Sequence, residues 1–281
     1  MKANRGSNEL FHIMKTTNRF HAANETRWEA AAAHWARGAD SRGLWRRCPK
    51  EPHLVLCPKE LEYLSDIAGK RVCVLGSGDN QVVFALAGLG SSVTSVDISQ
   101  NQLDIAEQRS RELGLSVSFV QGDVTNIGML GDRCFDVVYT GGHVAVWVAD
   151  LETYYSEAVR ILQPDGLFIV NEYHPFRRIW RDSKESLVVE SPYLERGPFE
   201  YDVSDNPVPG TLKSYEFHWT IADYINAVLK TGCSLLSVDE YGEEVCDWEG
   251  APMQGLPEFL LMIARKNVEP LRPADAEKPR G

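Results

Sequence analysis

The chain has 281 residues, 43% of them hydrophobic and 25% charged, with 29 Lys and Arg against 40 Asp and Glu. Those proportions suit a globular protein of one large or two small domains and exclude disordered, collagen-like and disulfide-scaffold chains. The net charge of −11 argues against a nucleic-acid partner, which would need clustered Lys and Arg to displace counterions.

Residues 1–20 are polar and aperiodic, and residues 1–47 carry nine Lys or Arg against four Asp or Glu. They read as a solvated arm, because Phe11-His12-Ile13-Met14 is too short for the apolar core of a signal peptide. A helix is predicted over Trp28 to Trp35, with Trp28, Ala31, Ala32 and Trp35 on one face. Arg71 to Leu75 is an apolar run that predicts a strand buried on both faces, followed by a helix from Asn80 to Leu89. Val93 to Val96 is the next strand, ending at Asp97. Ser99 then caps a helix, with Gln102 placed to complete a capping box and Gly114 to stop it. Val117 to Val120 and Phe135 to Tyr139 predict two more strands. Asp150 caps a helix to Ile161, Pro164-Asp165-Gly166 predicts a turn, and Leu167 to Val170 a fifth strand. Residues 174–214 are too long for a plain connection and predict a mobile lid. Thr220 and Asp223 cap a helix to Lys230, and Leu235 to Val238 and Phe259 to Ala264 are the last strands.

Strands alternating with helices predict an α/β fold, a doubly wound and mostly parallel sheet. The expected organisation is an N-terminal arm and helical cap over 1–50, a core over 51–266 with the lid at about 174–214, and a proline-containing tail over 267–281. No run approaches the roughly 18 apolar residues that cross a bilayer, so a cytoplasmic protein without membrane contact is expected. The six cysteines form no C-x-x-C pair and no zinc spacing, so they read as small buried hydrophobes and no metal is expected.

Gly76-Ser77-Gly78-Asp79-Asn80 lies between a buried strand and a helix, where glycines let backbone approach a ligand and free N–H groups await it. Asp97 follows 21 residues after Gly76, at a strand end, where a carboxylate can accept both hydroxyls of an adenosine ribose. Asp123-Val124 ends the third strand, where an acid can meet the exocyclic amine of adenine. The third glycine of a dinucleotide fingerprint is replaced by Gln81, and no phosphate-cradling G-x-x-x-x-G-K-[ST] exists. The loop therefore suits an adenosine cofactor without phosphate.

In these residues the chain resembles a class I S-adenosylmethionine-dependent methyltransferase from about residue 55 to 266. Val74-Leu75-Gly76-Ser77-Gly78, Asp97, Asp123 and the turn Ile161-Leu162-Gln163-Pro164-Asp165-Gly166-Leu167 match the family in order. The resemblance implies a Rossmann-like sheet of seven strands with the last antiparallel, and S-adenosylmethionine as cofactor, leaving S-adenosylhomocysteine. It places Gly76, Ser77, Gly78, Asp79, Asn80, Asp97, Ile98, Gln102, Asp123, Val124, Thr140 and Gly141 around that cofactor. Two positions depart from the family: Val74 stands where an acid is usual, and Asn80 where a glycine is usual.

The family's substrate lies beyond strands four and five, which points to Thr140-Gly141-Gly142-His143 and Asn171-Glu172-Tyr173-His174. His143 reads as a proton acceptor or a lining residue. Glu172 and His174 read as bases or anchors, with an ion pair from Glu172 to Arg177 or Arg178 as the alternative. Residues 173–224 hold ten aromatics, which suit a small organic substrate, with an aromatic or heteroaromatic one the leaning. Trp28, Trp35, Tyr173, Arg177 and Trp219 are its expected contacts. Amino-methylating nucleic-acid enzymes carry an Asp/Asn-Pro-Pro-aromatic motif after strand four, and Thr140-Gly141-Gly142-His143 lacks it. An NAD(P)-dependent oxidoreductase and a non-catalytic adenosine-ligand-binding protein of the same fold remain the alternatives.

Overall fold

A computed structural model of the protein describes residues 18–181, 183, 185–203, 212–242 and 252–268. Most of the expected arm, almost all of the tail and Cys246 lie outside the described residues. The elements in chain order are α1 (Arg19–Arg42), α2 (Leu44–Arg47), α3 (Pro58–Tyr63), β1 (Arg71–Leu75), α4 (Gln81–Gly88), β2 (Ser92–Asp97), α5 (Gln100–Leu113), β3 (Val117–Gln121) and β4 (Phe135–Thr140). They continue with α6 (Leu151–Ile161), β5 (Leu162–Tyr173), β6 (Phe199–Val203), β7 (Leu212–Glu216), α7 (Ile221–Lys230), β8 (Cys233–Tyr241) and β9 (Phe259–Lys266).

Seven strands form one sheet in the order β3-β2-β1-β4-β5-β9-β8. β1 to β5 are mutually parallel, and β9 runs antiparallel to both β5 and β8. The alternation of side chains along β1 explains why it reads as continuously apolar. Cys73 and Leu75 enter one core with Tyr155, Phe168 and Val228, while Val72 and Val74 enter the opposite core with Phe84, Leu86 and Ile263. The sheet grows outward from β1 in one direction and from β4 in the other. That reversal opens a crevice at the carboxyl ends of β1 and β4, where ligands bind in sheets of this kind.

Local chemistry sets the element ends. Ser99 accepts from the Gln102 N–H to start α5, and Gly114 ends it in the left-handed region. The reciprocal half of that expected box does not form, because the Gln102 side-chain oxygen lies beside Gly78 instead. Thr220 and Asp223 do close a full capping box on α7.

Three expectations differ from the structure. The first helix is longer than Trp28–Trp35, because Asn18 caps it by accepting from the Phe20 N–H at 3.0 Å. The turn at 164–166 is absorbed into β5, with Asp165 at φ 66 and a register shift opposite Phe135 and Val137. The irregular stretch contains an antiparallel pair, β6 with β7, and an isolated bridge from Trp180 to Val189. α1 docks on the outer edge of β7, where the Asn24 side chain both accepts from Tyr215 N–H (2.8 Å) and donates to Tyr215 C=O (2.9 Å). A single side-chain amide thus satisfies an edge that would otherwise stay open.

Candidate active site

One cleft of about 1360 Å³ runs along the carboxyl ends of the strands, from Asp123 across the glycine loop to Tyr173 and Arg178. Its glycine-loop end is built from backbone contacts. Gly76 has φ 66, and a side chain there would come 2.5 Å from Val144. Gly141 touches the Gly76 carbonyl so closely that a Cβ would fall 2.1 Å from it. Asn80, in place of the family's glycine, caps α4 by accepting from the Val82 N–H (2.9 Å). Its amide nitrogen donates to the Gly141 carbonyl, so one side chain joins the loops after β1 and β4. Ser77 is buried against Ser95, their hydroxyls 2.6 Å apart.

Asp97 accepts from the N–H groups of Gly78 (2.7 Å) and Ser99 (2.8 Å), one on each oxygen. Burial pushes its carboxyl up to about 6, with the two N–H groups working in the opposite direction. Each oxygen keeps a second lone pair, so ribose hydroxyls can still be accepted. Ile98, Gln102 and Val124 line the same stretch.

Asp79 does not stand open to a ligand's amino group. It pairs at 2.5 Å with Arg109, a buried guanidinium that also reaches Asp40 (3.0 Å) and the Ala36 carbonyl (3.0 Å). The loop is thereby tied to α5 and α1.

Asp123 is held by α1. His21 accepts from the Ala149 N–H on Nε2 (2.9 Å), so its Nδ1–H donates to Asp123 (2.7 Å). The other Asp123 oxygen accepts from both the N–H and the hydroxyl of Thr125. Burial alone would raise this carboxyl, but the His21 and Thr125 contacts hold it below the usual value. His21 went unnoticed in the sequence; the Asn18 cap, which extends α1 upstream, is the signal that would have found it.

Three of the expected site residues lie outside the cleft lining. Thr140 is buried, its hydroxyl accepting from the Asn171 N–H (3.0 Å). His174 caps the turn Pro175–Arg178 by accepting from the Phe176 N–H on Nδ1, and its Nε2–H donates to Glu240 (2.7 Å). The chain leaves β5 at Tyr173, so the strand alternation that would put His174 beside Glu172 no longer applies. Trp219 donates its indole N–H to the Ala145 carbonyl (2.9 Å) and stacks on Phe217.

Glu172 lies in the lining with 2% of its surface exposed. Its two oxygens accept from the N–H groups of Val144 (2.8 Å) and Ala145 (3.3 Å). Burial pushes its carboxyl up to about 8 despite those donors. It pairs with neither Arg177 nor Arg178: Arg177 reaches Glu258 at 3.5 Å and Arg178 reaches Glu216 at 3.5 Å. Glu172 therefore fixes the turn that presents His143, which itself sits at φ 59.

His143 Nε2 lies 2.6 Å from Arg178 Nη2, and an arginine can only donate there. Burial and the charges of Arg178, Arg177 and Arg27 hold its imidazole well below the usual histidine value. Its Nε2 lone pair is thus engaged by Arg178 in this arrangement. Its ring packs 4.3 Å from Tyr173 and 5.9 Å from Trp147. Arg177 lies over the Tyr173 ring at 3.8 Å. Trp28 and Trp35 line the cleft from α1, the Trp28 ring 5.2 Å from that of Trp147. Arg27, Trp147 and Glu216 complete this end and were not anticipated, because they come from elements far apart in the sequence.

A glycine loop, a ribose-side acid and a third-strand acid on a sheet ordered β3-β2-β1-β4-β5-β9-β8 define a class I S-adenosylmethionine-dependent methyltransferase fold. Residues 73–170 match the family described as a methyltransferase domain. Over those residues the chain thus matches a methyltransferase domain, carried on the fold just described.

Among curated proteins, methyltransferase phqN of Penicillium fellutanum is 28% identical over 234 residues, covering 78% of this chain and 66% of that protein. The ubiquinone biosynthesis O-methyltransferase of Xanthomonas euvesicatoria is 28% identical over 155 residues, 54% of this chain and 61% of that protein. The chain thus spans less than two thirds of the length of these relatives. In fold it is similar to an S-adenosylmethionine-dependent methyltransferase from Mesorhizobium loti, with a TM-score of 0.55 at 20% identity over 72% of this chain and 93% of that one. An S-adenosylmethionine-dependent methyltransferase from Methanosarcina mazei gives 0.56 at 19% identity, over 76% and 99%.

Proposed function

We propose that the protein transfers a methyl group from S-adenosylmethionine to a small organic molecule in the cytoplasm. The observation that carries this reading is the continuity of the cleft. At about 1360 Å³ it exceeds the roughly 300–1,000 Å³ of a typical single-ligand pocket, leaving room for a cofactor and a second molecule. When bound, the cofactor supplies a methyl carbon made electrophilic by a sulfonium.

The chain's residues do the rest. Asp97 receives the ribose hydroxyls, and Asp123 stands at the adenine side with His21 behind it. Gly76, Gly78 and Gly141 let backbone approach the ligand. Glu172 holds the Val144–Ala145 turn in place, and the indoles of Trp28 and Trp35 with Tyr173 wall off the substrate end. With His143 engaged by Arg178, alignment of the acceptor against the cofactor is the main catalytic contribution, and it can supply several kcal/mol in a bimolecular step.

Both curated relatives named above are methyltransferases, and one belongs by name to ubiquinone biosynthesis, which favours a small-molecule substrate. The five free cysteines among the described residues favour a reducing compartment. A nicotinamide dinucleotide is disfavoured because Gln81 replaces the third glycine of the dinucleotide loop. Residues 1–50 are read as arm and cap, and 51–266 as the catalytic core.

The test is incubation with methyl-labelled S-adenosylmethionine and a metabolite pool, followed by mass spectrometry. The expected result is one labelled methyl on an organic product together with S-adenosylhomocysteine. Tight cofactor binding with no transfer to any member of the pool would favour the non-catalytic alternative.

A further inference from the structure

The substrate end of the cleft is rich in guanidinium groups. Arg27, Arg177 and Arg178 all line it. Arg178 meets His143 at 2.6 Å and Glu216 at 3.5 Å, and Arg177 meets Glu258 at 3.5 Å. Among the described residues, Arg27 has no such carboxylate or histidine contact. Its Nε and Nη1 are buried, and neither has a hydrogen-bond partner. Its guanidinium lies between two indoles, 4.5 Å from the Trp28 ring centre and 4.8 Å from that of Trp147. The Trp147 ring in turn packs 5.9 Å from His143, so Arg27 and Arg178 face the same small volume.

Cation–π contacts hold Arg27 in place but satisfy none of its N–H groups. A buried charged donor without an acceptor is costly, and a protein keeps one where a ligand supplies the acceptor. We propose that this end of the cleft binds an aromatic carboxylate, with Arg27 as the principal donor and Arg178 beside it as the second positive charge. This rests on the methyltransferase reading for the chemistry that follows binding, and on Arg27 alone for the recognition.

The aromatic part follows from the walls: Trp28, Trp147, Tyr173 and Trp180 line the same end. A carboxylate is favoured over a phosphate because Glu216 also lines it. A dianion would face that carboxylate with about twice the repulsion of a monoanion. Trp28 reads as a substrate contact from the sequence, but its neighbour Arg27 supplies the charge that selects the ligand.

The probes are 4-hydroxybenzoate and its neutral isostere 4-hydroxybenzamide, titrated by calorimetry into the full chain loaded with S-adenosylhomocysteine. The expected result is an affinity at least about tenfold higher for the carboxylate, one charge-assisted hydrogen bond's worth. In Arg27→Gln that preference falls to within about threefold, while S-adenosylhomocysteine affinity stays at the wild-type value. Equal affinity for the two probes in the wild type, or binding of neither, overturns the proposal, and needs no variant to fold. A preference that survives Arg27→Gln also overturns it, and leaves Arg27 as a packing residue between two indoles. The cofactor arm separates this inference from the broader one. Carboxylate preference in a protein that ignores S-adenosylhomocysteine keeps the anion site and removes the methyltransferase reading. S-adenosylhomocysteine binding without carboxylate preference does the reverse.

Discussion

The two ends of the cleft are built in different ways. The adenosine end comes from strand termini and the turns that follow them. Gly76, Gly78, Asp97 and Asn80 lie within 22 residues of sequence, and each acts on its own loop or the next one. The substrate end is assembled from α1, the turn after β4, the turn after β5 and β7, so that Arg27, Trp147, Arg178 and Glu216 meet only in the fold. At the first end Asp97 is satisfied by backbone N–H groups, and Asp79 and Asp123 each have a basic side chain of their own, Arg109 and His21. At the second, guanidinium groups share carboxylates and a histidine, and Arg27 keeps buried nitrogens with no acceptor. An end made of local turns tolerates little change in its polar atoms, whereas an end made of long side chains can be retuned one residue at a time.

The sharpest way to break that contrast is Asp97→Ala. It removes the acceptor for ribose and leaves the Gly78 and Ser99 N–H groups without their partner. Each lost charge-assisted hydrogen bond is worth roughly 1.5–3 kcal/mol, so S-adenosylhomocysteine affinity is expected to fall about 10²- to 10⁴-fold in calorimetry. A change below about tenfold would remove Asp97 from the ribose position.

The difference between the ends also explains what was legible in the sequence. The glycine loop, Asp97 and the Ser99 cap are local signals, since a strand, a turn and a helix start suffice to place them. The seven strands and the antiparallel β9 follow from the family resemblance that those signals carried. His174 could not be placed, because its side depends on where β5 ends, and β5 ends one residue earlier, at Tyr173. Thr140 and Trp219 carry suitable chemistry, yet their polar atoms are consumed by Asn171 and by the Ala145 carbonyl. His21 and Arg27 lie upstream of the Trp28–Trp35 periodicity, so only the Asn18 cap places them on that helix.

Glu172 sharpens the comparison through pH. Its carboxyl is raised from 4.5 to about 8 in the folded chain, so the unfolded chain releases this proton first as pH rises. Stability is therefore fully present below about 4.5, falls as pH rises from there to about 8, and is flat beyond. The slope in that window is about 1.4 kcal/mol per pH unit, and the total is on the order of a few kcal/mol. Denaturant unfolding of the wild type and Glu172→Gln across pH 5 to 8 checks it. The glutamine variant should lack this component of the slope; parallel curves would contradict the burial account.

A smaller effect is expected from His21→Ala, which unlatches α1 from Asp123 and from the Ala149 N–H. Loss of these contacts costs roughly 1–3 kcal/mol of stability. Hydrogen exchange should speed along the first turns of α1 and not along α5. Unchanged exchange in α1 would show that the Asn24 contact with β7 alone holds the helix.

The smallest expected change concerns His143→Ala. Burial and the neighbouring guanidinium groups hold the His143 imidazole well below its usual value, and its Nε2 already accepts from Arg178. Single-turnover methyl transfer by the variant should keep the wild-type pH profile over that range, whatever its absolute rate. Loss of a pH-dependent limb in the variant would restore His143 as the proton acceptor.

The most direct test of the account is calorimetric titration of the full chain with S-adenosylhomocysteine and, separately, with NAD. Saturable one-site binding of S-adenosylhomocysteine with no heat from NAD is the predicted result, because Gln81 stands where a dinucleotide loop needs its third glycine. Binding of NAD with equal or greater affinity, or no binding of S-adenosylhomocysteine, would contradict it.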